Sequence, residues 1–293
     1  MSQKPSLVDI TAQAQAAAQS AAQAAGVVVS DEGSIAGFLE IEALFNQVWL
    51  LPPGESAIPS ELLRSISHAG CNVTAARDQT GRIIGAAAAI VTPRSPSKQA
   101  QSMYSLIAGV ASGLSDRGVG FALKQHQRAW GLARDLTEMT WTFDPLVSRN
   151  ARFNLSKLGA YASEYAIDFY GPMQGDMNAN DESDRLVAVW PLMSDESAAC
   201  SEDRPIPAER PSWRPTDVLR FGPDGDPVLV SAHGVLWCRV PTDIVALRAQ
   251  NPQVATEWRR SIRSIFTDVF ASGHIARGVS PDGWYRFAPG GTE

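Results

Sequence analysis

Residues 115–120, SDRGVG, hold the residue types that best suit anion chemistry. Gly118 and Gly120 stand two apart, Arg117 supplies a positive charge, and a helix-like run follows. A strand, a glycine turn and a helix in succession aim several backbone N–H groups at one point. Glycine has no side chain, so a ligand can approach the backbone closely. The segment therefore predicts a phosphate or pyrophosphate site, although a purely steric strand-to-helix turn has the same spacing.

Other common sites are disfavoured. A dinucleotide-binding GxGxxG would need a third glycine where the chain has Leu123, and no Gly-Lys-Ser/Thr follows as in a Walker A loop. The 3 cysteines and 4 histidines are scattered, without CxxC spacing. This pattern predicts free thiols in a reducing compartment and no metal site.

Composition is that of an ordinary globular protein. The 293 residues are 44% hydrophobic and 19% charged, with a net charge of −6, which argues against nucleic-acid binding. No apolar run approaches the roughly 20 residues of a membrane helix. The first residues match neither a secretory signal nor a mitochondrial presequence. We therefore expect a cytoplasmic protein that does not bind membranes.

The hydrophobic period predicts alternating helices and strands. Residues 34–49 and 59–70 have helical spacing, and strands follow, the last of them at 102–111. After the glycine segment come a helix to about Arg134, a strand at 138–143, another helix and further strands. The alanine- and glutamine-rich residues 11–25 favour a loosely packed helix because they lack a wide apolar stripe.

The domain boundaries follow from changes in composition. Residues 194–216 hold four prolines and many charges, which is typical of a linker. The predicted parts are an N-terminal segment, a core, the linker and a C-terminal extension: 1–26, 27–193, 194–216 and 217–293.

This order of elements, with the RGVG loop and the stretch RGVGFALKQHQRAWGLARDLTEMTWTFDPLVSRNARFNLSKLGA, resembles the GNAT superfamily of acyl-CoA-dependent N-acyltransferases. The resemblance reaches from about residue 27 to 192. It is most specific over 102–191, where it points to a bacterial branch with a WTFDPL segment and an appended C-terminal region. It implies an α/β fold: a mixed central sheet with splayed strands, flanked by helices, plus a C-terminal α+β extension.

The resemblance also implies a site. The strands 102–111 and 138–143 would splay apart, and the pantetheine arm of acyl-CoA would lie between them. A backbone N–H on the splayed strand would polarise the thioester carbonyl while a deprotonated amine attacks it. The residues meeting the arm would be Ala108, Gly109 and Val110, and those holding the pyrophosphate would be Ser115, Asp116, Arg117, Gly118, Val119 and Gly120.

The chain departs from the family pattern at the proton-transfer groups. Ser115 stands where Arg or Gln is usual, and Leu155 stands where many relatives have a Tyr that protonates the departing thiolate. Histidines that often stand on the splayed strand near Tyr104 and Leu106 are absent.

Six residues are candidates for the remaining roles. Asp144 follows the second splayed strand and could accept the amine proton, or it could be a turn residue before Pro145. Tyr104 is a second catalytic candidate, with core packing as the alternative. Asn150 could contact the cofactor or cap a helix. The candidates for the acceptor wall, among which nothing chooses, are Tyr165, Asp168 and Tyr170.

The expected activity is acyl transfer from acetyl-CoA, or another short acyl-CoA, to the amine of a small molecule. One alternative is a non-catalytic acyl-CoA-binding protein, and another is different thioester chemistry such as decarboxylation. The C-terminal extension is expected to dock on the core, or on a second subunit of a homodimer, either lining the acceptor pocket or acting as a stabilising flap.

Overall fold

The computed structural model describes residues 6–93, 101–114, 116–171 and 181–290. Ser115, a predicted pyrophosphate residue, lies outside these ranges. The α-helices are α1 Leu7–Ala24, α2 Ile35–Val48, α3 Ser60–His68, α4 Val119–Leu132, α5 Ser148–Ala151, α6 Asp195–Ser201, α7 Ile244–Gln250 and α8 Pro252–Ala271. The strands are β1 Val28–Asp31, β2 Asn72–Arg77, β3 Ile83–Thr92, β4 Ser102–Val110, β5 Glu138–Phe143, β6 Tyr161–Ala166, β7 Arg185–Pro191, β8 Val218–Phe221, β9 Pro227–Ala232, β10 Val235–Arg239, β11 His274–Val279 and β12 Trp284–Pro289. A π-helical segment, Arg152–Lys157, continues α5.

The chain divides into two compact units, and the first comprises Met1–Trp141 and Pro191–Glu202. Its strands lie in the order β1-β2-β3-β4-β5. Neighbours are antiparallel from β1 to β4, whereas β4 and β5 are parallel. Helices α2 and α3 bury Phe38, Phe45 and Leu63 against one face of the sheet. Helix α4 packs on the other face through Ala122 and Leu123. The alanine-rich run of β3 is buried because helices cover both faces.

The N-terminal helix α1 is packed, not loose as the composition predicted. It begins with a capping box in which Ser6 and Asp9 exchange hydrogen bonds. Ala14, Ala17 and Ala21 form a buried stripe of small side chains. Such side chains let α1 contact α4 closely without a broad apolar face.

The second unit comprises Thr142–Trp190 and Asp203–Glu293. Its strands lie in the order β7-β6-β11-β12-β10-β9-β8, with antiparallel neighbours. The apolar stripe of α8 buries Trp258, Ile262 and Phe266. The Phe266 ring meets Tyr285 and Phe287 of β12 edge-on, with centroids 5.0 and 5.1 Å apart. Aromatic packing between helix and sheet thus forms the centre of this unit.

The two units do not follow the predicted domain boundaries. Residues 142–190, which the sequence assigned to the core, share a unit with the C-terminal strands. Helix α6 lies inside the predicted linker 194–216. It is stabilised because Ser194 caps it and Cys200 packs inward. The predicted fold class is confirmed, namely a mixed α/β architecture with helices flanking a mixed sheet and a further C-terminal set of strands and helices.

Within the described ranges, no helix has the length and apolar character needed to cross a membrane.

Candidate functional site

The parallel strands β4 and β5 part after a short contact, and we call this point the fork. Over the described residues their pairing runs from Ser102 with Glu138 to Tyr104 with Thr140. Just beyond Tyr104, a bulge in β4 leaves Leu106 as an extra residue opposite β3. A bulge bends a strand and leaves its extra residue without a ladder partner. The predicted splayed strands are thereby confirmed, and the bulge accounts for their divergence.

Beyond the fork, β4 offers a backbone edge along which an extended ligand could lie. Ala108, Gly109 and Val110 pair with β3 on one side, and their pairing with β5 has already ended. Ala108 is exposed. A Cβ on Gly109 would come within 3.1 Å of the Trp49 ring, so a larger residue there would require the ring to move by a few tenths of an ångström.

The N-terminus of α4 is open to an anion. Its N-cap, Gly118, has φ 82°, a left-handed conformation that favours glycine. No side chain caps the helix, and no acidic residue lies in its first turn. The unbonded N–H groups of a first turn and the positive end of the helix dipole attract phosphate. Asp116 and Arg117 are exposed in the preceding turn.

Lys124, one turn into α4, lies beneath the fork. Its Nζ donates a hydrogen bond to Ser105 Oγ at 2.9 Å and lies 3.8 Å from Met139 Sδ. The same nitrogen is 4.2 Å from the centroid of the Trp141 ring. Ser105 and Trp141 are the first residues of β4 and β5 beyond their last pair, so Lys124 joins both arms of the fork.

Burial alone lowers the pKa of Lys124 to about 7. Its side chain is only 5% exposed. Among the described residues, no carboxylate forms an ion pair with it. The sequence analysis did not single out this lysine. The burial of Leu123 gives no signal for Lys124, because adjacent residues do not share a face of a helix.

Tyr104, predicted as catalytic, is the last β4 residue paired with β5 and is half-buried. Its position at the fork is compatible with either alternative given for it. Leu155 lies in the π-helical segment of the second unit and is fully buried. A buried leucine supplies no proton to a thiolate.

Asp144, predicted as a general base, belongs to a buried ion cluster of the second unit. Its carboxylate accepts from Arg248 Nη2 at 2.6 Å and from Arg259 Nη1 at 2.9 Å. Asp181 binds the same two arginines at 2.8 and 2.7 Å. Asp144 also accepts from the Leu146 N–H, as a turn residue does.

The surroundings of Asp144 argue against the predicted proton acceptor. Burial by itself would raise the pKa of this carboxyl, but the charges and hydrogen bonds of Arg259 and Arg248 outweigh burial and hold the pKa well below its ordinary value. A carboxylate so paired is a weak base. The geometry favours the alternative of a turn residue, with an ion cluster that the sequence analysis did not predict.

Asn150 is exposed in α5 of the second unit. One of its two predicted roles, capping of the helix, is wrong. The N-cap of α5 is Val147, and no side chain forms a capping hydrogen bond with this helix. Contact with the cofactor stays a prediction.

The acceptor-wall candidates lie together in the second unit. Tyr165 donates to Asp184 Oδ2 at 2.7 Å, and Asp184 also accepts from the Asp168 N–H. Burial, and then the bond to Asp184, raise the pKa of Tyr165, so its hydroxyl stays protonated. Tyr170 is exposed, and the Arg185 guanidinium lies 5.2 Å from its ring centroid. Asp184 thus holds Tyr165 and Asp168 by hydrogen bonds, while the ring of Tyr170 is exposed.

A cavity of about 610 Å³ also lies in the second unit, and its lining includes none of the predicted site residues. Its lining comprises Ser212, Trp213, Arg214, Asp217, Ser231, His233 and Gly234. Over the part of the chain that the structure describes, no three His, Cys, Asp or Glu side chains cluster as metal ligands.

No protein-family model matches this chain, and no curated protein sequence matches it. Among solved structures, a GNAT superfamily phosphinothricin acetyltransferase from Sinorhizobium meliloti, in complex with AcCoA, is similar to it. That match has 15% identity, covers 57% of this chain and 89% of the other, and has a TM-score of 0.46. Naa20 from Chaetomium thermophilum, with a bisubstrate analogue, is similar at 20% identity, 56% and 86% coverage and a TM-score of 0.44. The ribosomal-protein-S18-alanine N-acetyltransferase from Escherichia coli is similar at 12% identity, 57% and 95% coverage and a TM-score of 0.45.

Proposed function

We propose that this protein transfers an acetyl or other short acyl group from acyl-CoA to the amine of a small molecule. The observation that carries the proposal is the direct succession of the fork, the exposed edge of β4 and the uncapped N-terminus of α4. An acyl-CoA needs these features in the same order, for its thioester, its pantetheine arm and its pyrophosphate.

The residues present fit such a co-substrate. Gly118 and Gly120 leave the first turn of α4 open to a pyrophosphate, and this turn contains no carboxylate that would repel it. Ala108 is small and exposed beside the strand edge that would pair with the amides of the arm. Acyl-CoA supplies an activated carbonyl, and the protein supplies orientation and N–H donors near the Leu106 bulge.

The absence of a proton donor at Leu155 supports a second candidate, a protein that binds acyl-CoA without turnover. Leu155 is fully buried, and a leucine side chain has no proton that it could pass to a thiolate. The two candidates agree on binding and differ in product formation.

Gly120→Glu tests the binding that both candidates share. The carboxylate would lie in the first turn of α4, where it suits the helix dipole but repels a pyrophosphate. We expect loss of detectable acetyl-CoA binding by calorimetry with an unchanged melting temperature. Gly120→Gln is the matched control, since it adds similar bulk without charge and should weaken binding less.

An unchanged affinity in Gly120→Glu would overturn the assignment of the anion site. Mass spectrometry of wild-type protein with acetyl-CoA and a pool of amino acids and polyamines separates the candidates. A new N-acetyl product supports transfer, and binding without product supports the non-catalytic protein.

A further inference from the structure

We propose that Lys124 and Ser105 form a proton-donating pair at the fork, which protonates the coenzyme A thiolate as it departs. The inference rests on the proposed acyl transfer and supplies the group that Leu155 cannot. Ser105 would contact the sulfur and is the catalytic member. Lys124 acts through Ser105 and is a positioning residue.

The placement of the pair is the first support. Ser105 follows Tyr104, the last β4 residue paired with β5, and precedes the bulge residue Leu106. The thioester would lie at this bend if the pyrophosphate is held at α4. Val110 lies five positions along the strand from Ser105, a span of roughly 17 Å, which is the scale of an extended pantetheine arm.

The hydrogen bonding gives the pair a direction. Lys124 Nζ donates to Ser105 Oγ at 2.9 Å, so the serine oxygen is an acceptor in this bond. Within the described residues, the Ser105 hydroxyl has no acceptor for its own hydrogen. The hydroxyl is therefore available to donate to a group arriving at the fork.

The electrostatic surroundings suit a lysine that gives up a proton near neutral pH. Ser105 faces Nζ from β4, while Met139 and Trp141 face it from β5, and none of these side chains is charged. Burial alone lowers the pKa of Lys124 to about 7. Lysine is rarely this deeply buried without a charged partner.

The proton count of the step balances. The amine nitrogen forms a bond to the thioester carbon, the C–S bond breaks, and its electron pair leaves on sulfur. The sulfur takes the hydroxyl proton of Ser105, and Ser105 takes a proton from the Lys124 ammonium. Lys124 becomes neutral and regains a proton, which the nitrogen lost during attack, through solvent.

The test compares Lys124→Met with wild type in the full chain, using acetyl-CoA and the amine pool. Methionine keeps the length and apolar contacts of the stem but carries no proton. We expect acetyl-CoA affinity by calorimetry to stay unchanged and turnover to fall at least about 100-fold. Ser105→Ala should behave likewise, and the double variant should be no slower than the slower single variant, because the pair acts as one unit.

Gln125→Met is the matched control on the same helix. Gln125 is fully buried, and both polar atoms of its side chain lack hydrogen-bond partners in the described residues. Turnover should stay at the wild-type level. Equal losses in the Gln125 and Lys124 variants would overturn the proposal, because they would reveal a general packing effect.

The pH dependence provides two further readouts. Wild-type turnover should decline above about pH 7 as Lys124 loses its proton, whereas Lys124→Met should lack this decline. In the absence of acetyl-CoA, the free energy of unfolding of the wild-type protein should rise between pH 7 and 10.5. In this range the unfolded chain still holds the Lys124 proton and the folded chain does not. The Met variant should lack this rise.

The outcomes separate this inference from the function beneath it. Failure of wild type to bind acetyl-CoA would refute the proposed function. Normal binding and turnover in Lys124→Met, or an unchanged pH dependence of its stability, would refute the proton-donating pair and leave the function standing.

Discussion

At the residue scale, the buried charges of Asp144, Asp181, Arg248 and Arg259 have the largest energetic consequence. The four side chains alternate in sign, and each is at most 10% exposed. Removing one member leaves the buried opposite charges with one charged partner fewer, which is strongly destabilising. The cluster therefore ties the segment after β5 to α7 and α8 of the same unit.

Asp144→Asn is expected to act on stability. The free energy of unfolding at pH 7 should fall by about 3–5 kcal/mol, since Arg248 and Arg259 lose a charged partner. The pKa of Asp144 is depressed, so its contribution is present above 3.8 and is lost as pH falls below that value. Urea titrations should show the largest difference from wild type at pH 7 and a shrinking one below pH 3.8.

A stable Asp144→Asn variant with strongly reduced turnover would contradict this account. That result would restore the predicted general base.

The sequence could indicate the glycines at α4, but it could not indicate the ion pairs of Asp144 or the burial of Lys124. Gly118 is the N-cap of α4 and Gly120 lies in its first turn, so a local glycine pattern before an apolar period indicated this turn. The partners of Asp144 are 104 and 115 residues away along the chain, and no local signal reports them. The burial of Lys124 was equally hidden, because lysine usually lies at the surface.

At the element scale, α1 and α4 pack through small side chains. Ala14 is fully buried and Ala17 is 7% exposed, while Ala16 between them is exposed. Gln13 accepts from Arg128 Nη1 of α4 at 3.0 Å, which fixes the rotation of α1. The contact depends on close approach, so added volume should weaken it.

Ala14→Leu is expected to lower the free energy of unfolding by about 1–3 kcal/mol through overpacking. Ala16→Leu introduces the same side chain two positions away on the exposed face and should change stability by at most about 0.5 kcal/mol. Chemical denaturation of both variants measures the difference. Equal stabilities would mean that α1 is as loosely held as its composition suggested.

Composition misled at this scale because alanine fills the whole segment. A stripe at positions 14, 17 and 21 has helical spacing, yet the exposed positions are alanine too, so the buried face did not stand out. The strands were easier, since the apolar run of β4 and the alternation of β5 both indicate strands, although Leu106 and Ala108 of β4 are exposed.

At the scale of the whole molecule, the second unit is assembled from two separate stretches of chain. In this unit β6 pairs with β11, so Ala162 lies opposite Ala276. Asp144 and Asp181 likewise depend on arginines from the C-terminal stretch. Strand β6 and the carboxylates of the stretch 142–190 therefore depend on residues beyond 203 for their strand partner and their counter-charges.

Removing residues 203–293 should make the protein insoluble. The edge of β6 would lose its partner β11, and two buried carboxylates would lose their counter-charges, so exposed strand and apolar surface would promote aggregation. The soluble fraction after expression measures this outcome. A chain shortened only by residues 291–293 is the control and should stay soluble, and a soluble, active truncation at 202 would refute the expectation.

The division of the second unit also sets the timing of its assembly on the ribosome. Asp144 is synthesised 115 residues before Arg259. At roughly 5–20 residues per second, this carboxylate waits about 6–23 s for its partner. Residues 142–190 leave the exit tunnel with an open strand edge and cannot complete their unit until α8 and β11 have been translated. We therefore expect the nascent chain to need chaperones most between the emergence of residues 142–190 and the translation of α8 and β11.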